Sequence, residues 1–280
     1  MNNSTITVFI INLKKDIEKK THMQALCQRF NLQAEFVDAV DGRQLKESEI
    51  NSVFSQENAI QNINRELTKG EIGCALSHKN IYQKMIDNNI ENALILEDDV
   101  DFDDTLLDLL LRIDDFPKDW ELMLLGHFGC IRIDKATEYS FWYKKKLHKK
   151  YIIRRPSEEG HGTHGYLLNN KGAKKFIKIL SEIALPIDHY TGDDKCTNLY
   201  IIQQPVITLN KKLASNSNLQ ADREKMETRH KSNSQGRFKG KLLNLVKRYL
   251  ILLKLKNKVD ALRLDTKIFL AKIKFLRWYF

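Results

Sequence analysis

Three consecutive acidic residues, Glu97, Asp98 and Asp99, directly follow an apolar run at residues 93–96. Such a run between polar residues favours a buried strand, although a piece of buried helix has the same pattern. Because side chains alternate along a strand, Glu97 and Asp99 would project to one side and Asp98 to the other. Two carboxylates in one small volume repel each other unless a cation lies between them, and all-oxygen ligation favours magnesium, manganese or calcium over zinc. We therefore predict a divalent metal ion on Asp99 and Glu97; the alternative is a solvated acidic turn.

The acidic residues further along the chain, Asp101, Asp103 and Asp104, are better explained by local structure. A carboxylate just before a helix accepts hydrogen bonds from the free backbone N–H groups of the first turn. Asp103 or Asp104 can fill that position for a helix that begins near Thr105. We predict no chemical role for these three residues.

A second candidate for chemistry is Asp188, which lies beside His189 in a short segment flanked by apolar residues. An acid in such a loop is a candidate general base, and an N-cap for the following helix is the equal alternative. The preceding segment, residues 160–166, holds three glycines. Glycines at this density indicate either a tight bend or the close approach of a ligand to the backbone.

The elements that must position these residues alternate between strands and helices. Apolar runs predict strands at residues 5–13, 34–40, 93–97, 120–125 and 199–209, the last interrupted by Pro205 and therefore suited to a sheet edge. Between them, helical spacing predicts helices that begin after Asp16, after Thr68 and near Lys171, and Thr68 with Glu71 fits a capping box. This alternation predicts an α/β fold with a mostly parallel sheet, whose ligands collect at the carboxyl ends of the strands.

The composition is that of a globular protein of 280 residues, long enough for one large domain or two small ones. Its four cysteines are far apart and form no CxxC pair, so we expect reduced thiols in a cytosolic protein. No apolar run reaches the ~20 residues of a membrane-spanning helix, and we expect neither export nor a transmembrane segment.

The net charge of +10 is concentrated at the C-terminus. Residues 237–280 hold 13 Lys and Arg against two acidic residues, which leaves 33 basic and 34 acidic residues in the remainder. We predict a catalytic domain at 1–220, a polar linker at 221–240 and a basic amphipathic helical tail at 241–280. Such a tail, with its closing aromatic residues, is typical of helices that lie on anionic membranes, and packing against the core is the alternative. A nucleic-acid partner is disfavoured, because the cations belong to an apolar-rich segment.

Residues 141–155 mix aromatic and basic side chains. The pattern favours a solvated surface hairpin, and the alternative is a loop that binds an acceptor through aromatic faces and cations.

The motifs in their order resemble glycosyltransferase family 25. The resemblance is carried by residues 10–13, 36–42, 67–78 and 96–100, of which the string GEIGCALSH at 70–78 is specific, and by residues 163–168 and 186–188. This family includes bacterial lipopolysaccharide and lipooligosaccharide sugar transferases and collagen galactosyltransferases. The chain departs from it at Lys19 and Lys20, where members often carry paired arginines.

The resemblance implies a GT-A-like, Rossmann-type fold, a UDP-sugar donor, a manganese or magnesium ion and inversion at the anomeric carbon. It implies that Asp98 holds the ribose or sugar of the donor and that Asp188 is the catalytic base. Further donor-binding candidates come from the matching motifs: Ser77, His78, Thr163, Gly165 and Tyr166. From spacing alone, a lone histidine such as His78 is more often a packing residue.

The expected reaction is therefore transfer of a hexose, galactose or glucose, to a lipid-linked oligosaccharide. The expected location is the cytoplasmic face of a bacterial inner membrane, where the protein would be peripheral. Two alternatives remain: a metal-dependent phosphoester hydrolase, which would need more metal ligands than the sequence offers, and a nucleic-acid-binding protein that uses the basic tail.

Overall fold

The computed structural model describes residues 6–127, 139–147, 150–156, 160 and 162–214, with the backbone alone at 139–142. The predicted linker at 221–240 and the predicted amphipathic tail at 241–280 lie outside these residues and stay predictions. Within the described part, no helix is both long enough and apolar enough to cross a bilayer.

The described residues form ten strands and eight α-helices. The strands are β1 Ile6–Asn12, β2 Glu35–Asp38, β3 Asn92–Glu97, β4 Val100–Phe102, β5 Leu122–Gly126, β6 Tyr139–Leu147, β7 Tyr151–Pro156, β8 Gly165–Asn169, β9 Leu199–Ile202 and β10 Ile207–Leu209. The helices are α1 Ile17–Arg29, α2 Glu47–Val53, α3 Gln56–Ile63, α4 Lys69–Asp87, α5 Asp104–Leu110, α6 Asn170–Ile179, α7 Ile187–Thr191 and α8 Lys211–Ala214, with a short 3₁₀ helix at Ile113–Asp115.

Eight of these strands form one sheet in the order β2-β1-β3-β8-β5-β9-β7-β6. Strands β2, β1 and β3 are parallel to one another, as are β5 and β9, whereas β8 is antiparallel to both of its neighbours. Strand β7 is also antiparallel to both of its neighbours. Six strands of the described sheet therefore point in one direction and two in the other, which confirms the predicted mostly parallel α/β arrangement.

Helices cover both faces of the sheet, and alternate residues of β3 belong to the two resulting cores. Ala93 and Ile95 pack into the core under α2, α3, α4, α6 and α7. Leu94 and Leu96 pack into the core under α1 and α5. Strand β3 is therefore buried on both faces, as its continuous apolar run predicts.

The predicted final edge strand at 199–209 is wrong. The structure has two strands there, and β9 lies inside the sheet between β5 and β7, while β10 pairs with β4 in a separate two-stranded sheet. Pro205 interrupts the extended run, and the β6–β7 hairpin extends the sheet beyond β9. The paired strands confirm the predicted hairpin for the described residues of 141–155, although Leu147, Tyr151 and Ile153 are buried rather than solvated.

Helix α4 begins with the predicted capping box. The amide of Glu71 donates to Thr68 Oγ1 at 3.0 Å, and the amide of Thr68 donates to Glu71 Oε2 at 2.9 Å. The Glu71 carboxylate is buried and also accepts two hydrogen bonds from the Arg65 guanidinium, at 2.8 and 2.7 Å. These bonds fix the start of α4, and Gly70 and Cys74 of that helix line the same cavity as Ile11 of β1 and Glu97 of β3.

Two glycines let the loop after β2 lie directly against α4. A Cβ on Gly42 would lie 1.7 Å from the Lys69 carbonyl oxygen, and a Cβ on Gly73 would lie 2.4 Å from the Val40 carbonyl oxygen. No side chain fits in either place without a backbone shift. This close approach brings residues 40–43 to the same end of the sheet as Glu97.

We expect Gly73→Ala to lower the free energy of unfolding by about 1–3 kcal/mol, because the added methyl group meets backbone rather than flexible side chains. The gain in helix propensity, up to about 1 kcal/mol, opposes this loss without cancelling it. Urea denaturation measures the effect. The matched control is Asn80→Ala on the exposed face of α4, which should stay within about 0.5 kcal/mol of the wild type. Equal stability of the two variants would contradict the tight contact.

Candidate active site

The acidic cluster lies where β3 ends, at the carboxyl end of a parallel strand. The strand stops at Glu97, and Asp98 and Asp99 form a turn, so the strand alternation expected from the sequence does not extend to them. Both carboxylates instead point to Lys19 of α1, whose Nζ lies 3.1 Å from Asp98 Oδ1 and 2.9 Å from Asp99 Oδ2. Asp98 and Asp99 therefore share one cation.

These aspartates are almost fully buried, at 8% and 7% exposure. Asp98 Oδ2 accepts a hydrogen bond from Asn12 Nδ2 at 2.8 Å. Burial raises the pKa of Asp98, although Lys19 and Asn12 act in the opposite direction. Burial lowers the pKa of Lys19, but the neighbouring Asp99 and Asp98 carboxylates outweigh this effect and raise the pKa above its ordinary value. The lysine therefore stays protonated and neutralises part of the cluster.

Glu97 follows Ile95 on the face of β3 that is covered by α4. Its carboxylate accepts a hydrogen bond from Thr163 Oγ1 at 3.2 Å. Burial, and then the nearby Asp99 carboxylate, raise the pKa of Glu97 to about 8, against the lowering effect of Thr163. Without a further cation, much of Glu97 is protonated at neutral pH. The direction of this change in pKa agrees with the predicted repulsion between Glu97 and Asp99.

A cavity of about 140 Å³ opens beside the cluster. It is lined by the three acidic residues and by Lys19, Arg43, Cys74 and Ser77, among others. A larger cavity, of about 490 Å³, lies at the other edge of the sheet, where the first residue of β3, Asn92, is paired with the last residue of β8, Asn169. That cavity contains none of the predicted site residues, so we assign the chemistry to the smaller one.

The acidic residues offer the oxygen atoms that a hard divalent cation prefers. Asp99 Oδ1 is buried and has no hydrogen-bond partner within the described part of the chain, although a buried carboxylate oxygen normally has one. Together with Glu97 it offers oxygen ligands in a volume whose negative charge Lys19 only partly neutralises. Asp99 and Glu97 would hold the ion.

The remaining predicted donor-binding residues differ in whether they line the cavity. Ser77 lines the cavity, and its Oγ accepts from the Val40 amide at 2.8 Å and donates to the Gly73 carbonyl at 2.7 Å. Thr163 reaches the site through its hydrogen bond to Glu97. Gly165 packs directly against Ile207, where a Cβ would lie 2.5 Å from the side chain.

His78 and Tyr166 lie beneath the cavity and are fully buried. His78 Nδ1 lies 2.7 Å from the Tyr166 hydroxyl, which lies 2.6 Å from the hydroxyl of Tyr82. Burial lowers the pKa of His78 to about 3, so its imidazole is neutral. In this structure the two side chains support the site, and direct contact of either with a donor stays a prediction.

Asp188 lies in the first turn of the short helix α7, whose N-cap is Pro186. The alternative prediction that Asp188 caps this helix is therefore wrong. Asp188 is half-buried, and its Oδ1 has no hydrogen-bond partner within the residues that the structure describes. The Gly160 amide donates to the Gly192 carbonyl at 2.8 Å, which fastens the end of α7 to the glycine-rich segment before Thr163. This bond links the segment of Asp188 to the glycine-rich segment, but Asp188 is not among the residues that line the 140 Å³ cavity, and its role as the base stays a prediction.

Sequence reasoning missed Lys19, Asn12 and Arg43 as site residues. Lys19 was noted only as a departure from a motif, yet it binds both aspartates of the turn. Lys19 is the third residue of α1 and Asn12 is the last residue of β1, which places both at the carboxyl edge of the sheet. The order of the strands, which places β1 beside β3, is what brings these residues to the acidic cluster.

We expect Lys19→Met to destabilise the protein by up to about 3 kcal/mol, because it leaves two buried carboxylates without their cation. Manganese should restore stability more in this variant than in the wild type, because Lys19 no longer competes for Asp99. Thermal unfolding with and without manganese tests both effects. Lys14→Met is the matched control, because its ion pair with Asp38 is exposed and is worth at most about 1 kcal/mol. Equal changes in the unfolding temperature of the two variants would contradict the role of Lys19.

The sequence matches the family described as Glycosyltransferase family 25 (LPS biosynthesis protein) over residues 5–191, about two thirds of the chain. The chain belongs to glycosyltransferase family 25. The family match covers every residue of the site described above, from Asn12 to Asp188. Family 25 membership confirms the resemblance drawn from the sequence motifs.

Relatives of this family 25 chain include animal proteins. Procollagen galactosyltransferase 2 of Mus musculus is 34% identical over 188 residues, which cover 61% of this chain and 27% of the relative. The human protein of that name is 28% identical over 193 residues, covering 61% and 27%. A glycosyltransferase 25 family member of Aedes aegypti is 30% identical over 204 residues, covering 65% and 30%. The chain thus matches less than a third of the length of these relatives.

Two solved structures are similar to the family 25 chain at low identity. One is a glycosyltransferase involved in the glycosylation of the major capsid of PBCV-1, with 10% identity and a TM-score of 0.39 over 80% of this chain and 98% of the other. The second is the inositol-1-phosphate CTP transferase from T. maritima, with 12% identity and a TM-score of 0.40. The match covers 74% of this chain and 89% of the other.

Proposed function

We propose that the chain transfers a hexose, galactose or glucose, from a UDP-sugar to a saccharide acceptor with inversion of the anomeric centre. Family 25 membership supports the transfer of sugars. The observation that carries the proposal is the buried carboxylate cluster at the end of β3, which opens on a cavity and keeps one oxygen of Asp99 unbonded.

The donor would bind with its diphosphate at this cluster. Lys19 and Arg43 both line the cavity and supply positive charge for phosphate oxygens. A manganese or magnesium ion, when held by Asp99 and Glu97, would neutralise the diphosphate and the charge that develops on the leaving UDP. Asp98, whose two carboxylate oxygens are bonded to Asn12 and Lys19, would accept further hydrogen bonds from hydroxyls of the ribose or sugar.

Inversion requires a base on the face of the sugar opposite the leaving group. We assign this role to Asp188, whose buried Oδ1 has no competing hydrogen bond in the described residues. Its carboxylate would take the proton from the acceptor hydroxyl as that oxygen attacks the anomeric carbon. Glu97 is less suited to this role, because we place it as a ligand of the metal ion and its carboxylate already accepts a hydrogen bond from Thr163.

A panel of UDP-sugars tests the proposal. Each would be incubated with the full-length protein, with and without manganese, and the released UDP measured. We expect one UDP-hexose to release UDP several-fold faster when an oligosaccharide acceptor is added. Equal release from every sugar nucleotide, or none from any, would contradict the assignment, as would hydrolysis of simple phosphoesters at a comparable rate.

The second part of the proposal concerns the basic tail. We propose that residues 241–280 hold the enzyme on the anionic cytoplasmic face of a bacterial inner membrane, where a lipid-linked oligosaccharide of the lipopolysaccharide type is the acceptor. Support comes from the sequence: apolar and aromatic residues alternate at helical spacing with an excess of Lys and Arg. Burial of the apolar face contributes ~25 cal/mol per Å² to the free energy of membrane binding. Each cation near an anionic surface contributes about 1 kcal/mol more.

Deletion of residues 237–280 should therefore abolish binding to anionic vesicles and leave transfer to a soluble acceptor intact. Binding of the full chain should weaken with salt without vanishing, because screening acts on the charges and leaves apolar burial in place. Vesicle co-sedimentation measures both. Zwitterionic vesicles provide the control. A truncated protein that still sediments, or that unfolds, would show that the tail is not a membrane anchor.

A further inference from the structure

Cys74, His78 and Glu97 form a cluster in which the three potential ligand atoms lie within 4.8 Å of one another. Cys74 and His78 are four residues apart on α4, so they project from the same face of the helix. Glu97 ends β3 on the side that α4 covers, as shown by Ala93 and Ile95 before it. Helix and strand thus bring a thiol, an imidazole and a carboxylate together at the wall of the cavity.

The ring of His78 is held by a hydrogen bond at one nitrogen, and its other nitrogen is unbonded. Its Nδ1 is bonded to the Tyr166 hydroxyl, which is itself bonded to Tyr82. Its Nε2 is buried in a residue of 0% exposure and has no hydrogen-bond partner within the described residues. A hydrogen bond at one ring nitrogen that leaves the other unbonded is how proteins orient a histidine toward a metal ion.

We propose that Cys74, His78 and Glu97 form a second cation site, distinct from Asp99, that binds a borderline-soft ion of the zinc class. Sulfur, nitrogen and a single carboxylate are the ligand types of zinc, whereas hard cations prefer oxygen alone. Tetrahedral zinc with bonds of about 2.0–2.3 Å places its ligands roughly 3.3–3.8 Å apart. The three potential ligand atoms lie within 4.8 Å of one another, so the side chains would close by at most about 1–1.5 Å. Water would complete the coordination from the cavity, which Cys74 lines.

Zinc at this site takes Glu97 away from the hard-metal position and occupies the wall of the donor cavity. It therefore competes with manganese and inhibits transfer; this consequence rests on the proposed function, whereas the binding site itself does not. Cys74 thus makes the enzyme sensitive to zinc.

Cobalt substitution in the full-length protein tests the site without an activity assay. We expect one equivalent of Co²⁺ to give the near-ultraviolet absorption of a thiolate–cobalt bond, and zinc to displace it. Cys74→Ser should lose this absorption, and His78→Gln should weaken cobalt binding by at least about tenfold. Cys27→Ser, a buried thiol in the other core, is the matched control and should keep the absorption.

A measurement on the wild-type protein guards against a folding defect in the variants. Zinc should slow alkylation of Cys74, followed by mass spectrometry, and leave the alkylation rate of Cys196 unchanged. Unaltered cobalt absorption in Cys74→Ser, or equal protection of both thiols, would overturn the site. Zinc should inhibit transfer by the wild type more strongly than transfer by Cys74→Ser. Equal inhibition of the two proteins would overturn the proposed competition between zinc and manganese. A protein without transferase activity that still binds cobalt through Cys74 would overturn the proposed function and leave the cation site standing.

Discussion

Replacement of Asp99 by Asn should lower the rate of hexose transfer by about 10²–10³-fold or more, the range in which loss of a charge-stabilising group at a developing anion falls. The substitution preserves shape and removes the negative charge that a divalent ion needs. Stability should change little, because Lys19 keeps its contact with Asp98 at 3.1 Å. Initial rates at saturating UDP-sugar and manganese measure the loss, and manganese binding to the variant should weaken in parallel.

The matched control for Asp99 is Asp104→Asn, a nearby exposed acid at the start of α5. It should retain wild-type rates and wild-type manganese affinity. Full activity of Asp99→Asn, or full activity of the wild type in the presence of a chelator, would exclude Asp99 as a metal ligand in this reaction.

Replacement of Asp188 by Asn should reduce transfer by about 10²–10⁴-fold, the usual contribution of a positioned general base. Donor affinity should survive, because the base acts on the acceptor hydroxyl in the transition state. UDP-sugar binding by calorimetry and single-turnover transfer by chromatography separate the two effects. The half-buried carboxylate has no described hydrogen bond at Oδ1 to lose, so unfolding should be nearly unchanged.

Asp194→Asn is the control for Asp188, because Asp194 is exposed and lies six residues further along the chain. Its transfer rate should match that of the wild type. A loss smaller than about tenfold in Asp188→Asn would assign the base to another residue, and a large loss in Asp194→Asn would point to Asp193 or Asp194 instead.

Local patterns in the sequence predicted the elements that build the site. The apolar run before Glu97 predicted β3, and the capping box of Thr68 and Glu71 predicted the start of α4, because both signals depend on neighbouring residues alone. The prediction for Asp103 is also confirmed, since its side chain accepts from the Thr105 amide at 2.8 Å. Helix starts and buried strands were therefore readable before any tertiary contact was known.

Contacts between distant segments could not be read in this way. Lys19 and Asn12 reach Asp98 across 79 and 86 positions of sequence, and no local pattern records such a contact. Nor does the sequence of β8 indicate that it runs antiparallel between β3 and β5, which brings Thr163 to Glu97. The turn at Asp98 and Asp99 also breaks the strand alternation, and it directs both carboxylates to Lys19.

The most direct test of the account is proton NMR of the complete reaction. Full-length protein, manganese, the preferred UDP-α-hexose and an oligosaccharide acceptor would be followed in one sample. We predict that the α-anomeric signal of the donor declines while a β-linked anomeric signal and UDP appear in equal amounts, and that none of this occurs with Asp99→Asn. An α-linked product, or free hexose and UDP without a new glycosidic signal, would contradict an inverting transferase at the Glu97–Asp99 cavity.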